Sequence, residues 1–86
     1  MAYEIFWADL SSNPNFSGFE LATTPEMAVE FARVRLLFST QDSFAFVSNL
    51  DIPGMDGRTH RLHWEGTEIV TYDRGSPNWN KPRVRP

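Results

Sequence analysis

Only one stretch of this chain has the period of a helix, and the segments around it alternate with the period of a strand. A lone helix cannot build a bundle. Among several extended segments it has to lie across a sheet, which restricts the chain to a two-layer α+β arrangement. The start of the helix is well marked: Thr24 suits the N-cap, Pro25 suits the first helical position, and Glu26 complements the positive end of the helix dipole. The spacing predicts a helix from Pro25 to about Phe38, with Met27, Phe31, Val34 and Phe38 defining one apolar stripe. Ala28, Val29, Ala32, Leu36 and Leu37 widen that stripe, which leaves Glu26, Glu30 and Arg33 as a polar ridge. A helix this apolar is either more buried than a surface helix or covered on one flank by a partner or a second copy of the chain.

The extended segments follow from alternation. Ala2 to Ala8 sets Tyr3, Ile5 and Trp7 against Glu4, Phe6 and Ala8, so both of its faces are largely apolar. Asp9 to Gly18 is rich in turn formers and reads as a long loop, followed by a short extended piece at Phe19 to Ala22. Phe44 to Leu50 alternates, and Asp51 to Arg58, with Pro53, Gly54 and Gly57, reads as a turn. Thr59 to Glu65 places His60, Leu62 and Trp64 on one face and Thr59, Arg61, His63 and Glu65 on the other. Thr67 to Tyr72 is its hairpin partner. A two-residue loop at Glu65-Gly66 would set Leu62 opposite Ile69, Trp64 opposite Thr67 and His63 opposite Glu68. The expected architecture is β-α-β-β-β, with one amphipathic helix on an antiparallel sheet of about four strands.

Eighty-six residues make one domain, here a compact body over residues 1–72 and a tail over residues 73–86. The absence of cysteine removes disulfides, thiolate metal sites and cysteine nucleophiles, and favours a reducing, cytoplasmic setting. The N-terminus lacks the pattern of a signal peptide, and no apolar window is long enough to span a membrane.

Charge divides the two parts. Residues 1–72 carry four basic and ten acidic side chains, a net of −6, whereas residues 73–86 carry a net of +3. The tail is rich in proline and holds one aromatic residue. Its Arg74, Trp79, Lys81, Arg83 and Arg85 form the one cluster with the parts of a contact segment. They can meet an acidic protein groove or a single strand of nucleic acid, or fold back on the acidic body.

Catalytic, cofactor and metal signatures are missing from the sequence. His60 and His63, three apart on a strand, point to opposite faces and cannot share a metal. The loop Asp51–Arg58 lacks the alternating oxygen ligands of a calcium site. No serine sits in a nucleophile elbow, and neither a P-loop nor a dinucleotide fingerprint is present. These observations lead to the expectation of a non-enzymatic protein-binding module that occludes a larger partner, of inhibitor or accessory type. Phage-encoded inhibitors of bacterial defence, anti-CRISPR proteins among them, are an analogous group in size and architecture. The alternative is a nucleic-acid accessory protein that binds single strands through the basic tail. Self-association into a homodimer would also cover the apolar helix.

Overall fold

The computed structural model describes residues 2–11, 16–77 and 79. The elements are β1 (Tyr3–Asp9), β2 (Phe16–Ala22), α1 (Pro25–Leu37), β3 (Ser43–Asn49), β4 (Arg58–Glu65) and β5 (Glu68–Asp73), with a short 3-10 turn at Gly54–Gly57. All five strands join one antiparallel sheet in the order β2-β1-β3-β4-β5, and α1 packs on one of its faces. The α+β architecture is as expected, with five strands in place of about four. The additional strand is β2, which pairs with β1 along its whole length from Tyr3 opposite Ala22 to Asp9 opposite Phe16. Gly18, read in sequence as a turn residue, lies within this strand because the Trp7 ring crosses it. A Cβ there would stand 2.7 Å from Trp7 Cζ2.

The β4–β5 hairpin corrects the expected register. Glu65 faces Glu68, Trp64 faces Ile69 and Leu62 faces Thr71, so the loop is Gly66-Thr67 and not Glu65-Gly66. Backbone chirality accounts for the shift. Gly66 takes the positive φ (63°) at the first central position, which the expected loop would have imposed on Glu65. Because the register moves by two residues, every side chain stays on its expected face.

The helix begins as expected. The Thr24 hydroxyl accepts a 3.1 Å hydrogen bond from the Met27 amide, and Pro25 occupies the first turn. Only part of its wide apolar side meets the sheet. Ala28, Ala32 and Leu36 are the buried residues, set against Tyr3, Ile5, Trp7, Val47 and Leu62. Met27, Phe31, Val34 and Phe38, the stripe picked out by helical spacing, are 43%, 37%, 37% and 89% exposed. Residues 28, 32 and 36 also recur at helical spacing, so periodicity alone allowed either stripe to face inward. The bulk of the core comes from the sheet, and alanines let the helix backbone lie close upon it.

One buried carboxylate ties the layers together at the end of β1. Asp9 accepts from the Ser11 amide (3.1 Å), the Thr40 amide (2.9 Å) and the Thr40 hydroxyl (2.6 Å), so the turn after α1 is held against the strand. These charge-assisted bonds satisfy a group that burial would otherwise penalise.

Candidate docking surfaces

The helix covers one face of the sheet, and the opposite face carries rings. Phe19, Phe6, Phe46, Arg61 and Tyr72 are successive register partners across β2, β1, β3, β4 and β5. They form a single row perpendicular to the strands. At ordinary strand spacing the row is about 19 Å long. Phe6 lies 5.1 Å from Phe19 and 6.2 Å from Phe44, and Phe44 lies 5.7 Å from Phe46, centroid to centroid. The Arg58 guanidinium sits 3.9 Å above the Phe46 ring and that of Arg61 sits 5.2 Å from the Tyr72 ring, which are cation–π distances. Phe19 is 67% exposed, and Phe6, Phe44, Phe46 and Tyr72 are half-buried. Next to the row, His63 is buried on the same face, with Nε2 3.1 Å from Glu65 Oε2. Tyr72 donates its hydroxyl to that carboxylate, and the bond raises the phenol above its ordinary value.

The tail candidates fare unequally. Arg74 serves as a staple: Nη1 donates to the carbonyls of Met55 (3.1 Å), Asp56 (2.8 Å) and Arg58 (3.1 Å), tying the end of β5 to the turn before β4. Trp79 is half-buried in a groove lined by Phe46, Met55, Asp56, Arg58, Arg61 and Arg74. Its amide donates to the Ser76 carbonyl at 3.0 Å. Trp79 therefore lies against the body, beside Phe46 and Arg61 of the aromatic row. Lys81, Arg83 and Arg85 lie outside the described residues. Sequence reasoning missed the row itself. Its signal was an aromatic or basic residue at the same phase of every strand, which becomes visible only when the registers are known.

The second surface is the outer side of α1. Met27, Phe31, Val34 and Phe38 run along it at i, i+4, i+7 and i+11, with Leu37 (50% exposed) beside them. Glu30 and Arg33 pair on one flank at 2.9 Å, and the arginine holds the Glu30 carboxyl below its usual range. Arg35, on the other flank, bonds Glu20 and lies over the Trp7 ring.

His60 lies on the helix side, in an open hollow with Pro25, Glu26, Val29, Thr71 and Asp73. Its Nδ1 is 2.9 Å from the Thr59 hydroxyl. Burial holds the imidazole below its ordinary value of 6.5, against the pull of Asp73 and Glu26. The fold thus favours the neutral ring. The stability contributed by this group is complete above the unfolded value and falls as pH drops from about 6.5 through the lowered folded value. Urea midpoints are expected to be lower at about pH 5.5 than at about pH 7.5, with the difference shrinking in His60→Gln. An equal pH dependence in that variant would contradict the assignment.

No three histidine or acidic side chains among the described residues are grouped to hold a metal, and no described helix is long and apolar enough to cross a membrane. No protein-family model, curated protein or solved structure matches the chain significantly.

Proposed function

We propose that this chain is a non-enzymatic protein-binding module, and that α1 docks in an apolar groove of a larger partner and occludes it. The observation that carries this reading is the solvent-facing stripe Met27–Phe31–Val34–Phe38. Its spacing is that of helix-in-groove recognition, where apolar anchors recur on one side of a helix. The five exposed side chains, Leu37 included, offer on the order of 500 Å². That falls short of the ~800 Å² per partner of a standard interface. A helix-on-helix contact with a second copy is therefore too small, whereas a groove also encloses the flanks, where Glu30–Arg33 and Arg35 supply a charged rim. The helix is rigidly mounted by Ala28, Ala32 and Leu36, so little ordering entropy opposes docking.

The test uses a photo-crosslinking residue at position 31 or 38 to identify the protein that meets the stripe, followed by reconstitution of the purified pair. Phe38→Ser and Phe31→Ser are each expected to weaken the reconstituted complex about tenfold or more. Phe38→Ser should leave the unfolding midpoint unchanged, since that side chain is 89% exposed. A complex indifferent to both substitutions overturns the reading. So does light scattering that shows a dimer broken by Phe38→Ser, because the stripe would then belong to a second copy.

A further inference from the structure

The open face of the sheet is separate from the helix stripe and has a different chemistry. It combines a line of rings with guanidinium groups, whereas the stripe is aliphatic and aromatic with no cation in its line. We propose that this face is a stacking platform for single-stranded nucleic acid, with Phe19 and Phe6 taking bases and Arg58, held over the Phe46 ring, and Arg61 taking phosphates.

Two observations carry the assignment. First, the rings stand in register across neighbouring strands, so an extended strand laid across the sheet meets one ring after another. Open antiparallel sheets that bind single strands present two or three bases to aromatic side chains in this way. Second, the cations lie within the row. Arg61 is the register partner of Phe46, and Arg58 sits over the same ring, so phosphate-neutralising charge is adjacent to the stacking planes. The acidic residues are divided between the two faces. Glu20, Glu26, Glu30 and Asp73 belong to the helix side, whereas Glu4, Glu65 and Glu68 lie on the open face, where Glu65 is engaged by His63 and Tyr72. Their negative charge limits affinity, so binding rests on the rings and on the arginines set among them.

The surface is suited to unpaired bases, because a duplex hides its base faces. Few cations take part, so the salt dependence should be shallow. With two phosphates neutralised the slope of log K against log salt is about −1.4.

Fluorescence anisotropy with a 5′-labelled oligothymidylate of about 12 nucleotides, at about 50 mM salt, tests the proposal on the full chain. Phe19→Ala is expected to weaken binding roughly 5- to 100-fold. Phe19 is exposed enough that its variant will fold, which keeps the test decisive. Arg58→Gln or Arg61→Gln should make the salt slope shallower by about 0.7. Phe38→Ser should leave oligonucleotide binding intact, so a failure of the helix-docking reading remains distinguishable from a failure here. The proposal is overturned by any of four results: no binding at low salt, equal affinity for a duplex of the same length, affinity indifferent to Phe19→Ala, or full displacement of the oligonucleotide by a polyglutamate peptide at equal charge, which would assign the face to an acidic protein segment.

Discussion

Ile5→Ala is expected to lower the unfolding free energy by about 2–5 kcal/mol. Ile5 is fully buried at the centre of the core, facing the helix with Val47 beside it on β3 and Ala28 and Ala32 above. Truncation removes its transfer free energy and leaves a cavity that a five-stranded ladder cannot close. A domain of this length has a total stability of roughly 4–13 kcal/mol, so the loss is a large share of the whole. Urea titration followed by tryptophan fluorescence should show a lower midpoint at unchanged slope. A loss below about 1 kcal/mol would mean that the helix settles onto the sheet and refills the space.

Gly57→Ala should be comparably damaging, at about 3 kcal/mol, for a different reason. A Cβ at position 57 would lie 2.2 Å from the Ile52 carbonyl oxygen and 2.8 Å from that of Asn49. Both obstacles are backbone, so no rotamer change relieves the clash. The turn from Leu50 to Arg58 would have to move, taking with it the Met55 and Asp56 carbonyls that Arg74 binds. The expected signature is therefore double: a lower unfolding midpoint and a change in Trp79 emission in the folded protein, since Trp79 shares a groove with that turn. Stability and emission equal to those of the parent chain would show that the turn has more freedom than its contacts imply.

The fold class could be read from the chain because its signals are local. The Thr24-Pro25 start of the helix, the alternation of β1, β3 and β4, and the face assignments of His60, Leu62 and Trp64 all hold. What local pattern could not decide was contact between elements. The residues of α1 satisfy helical spacing on two sides, and only the size of the facing sheet residues makes Ala28, Ala32 and Leu36 the inward set. Gly18 resembles loop until the Trp7 ring is placed over it. The hairpin register turned on which of two residues would take a positive φ, a matter of chirality that the apolar pattern outweighed in sequence reasoning. The aromatic row was hidden for the same cause. Phe6, Phe19, Phe46, Arg61 and Tyr72 are far apart in the chain, and their alignment is a property of four strand registers at once.

The strand order also distributes the entropy of folding unevenly. The β1–β2, β3–β4 and β4–β5 pairings each join neighbours in sequence, and only β1–β3 reaches across the helix. That seam closes a loop of about 33 residues, at a chain-entropy cost on the order of 3 kcal/mol. The sheet is thus two locally assembled halves joined along one line, and the Asp9–Thr40 bonds fasten one end of it. Phe6 and Phe46 stand on opposite sides of that line. A chain whose halves have not met carries only fragments of the aromatic row, so the row is complete only where folding is complete.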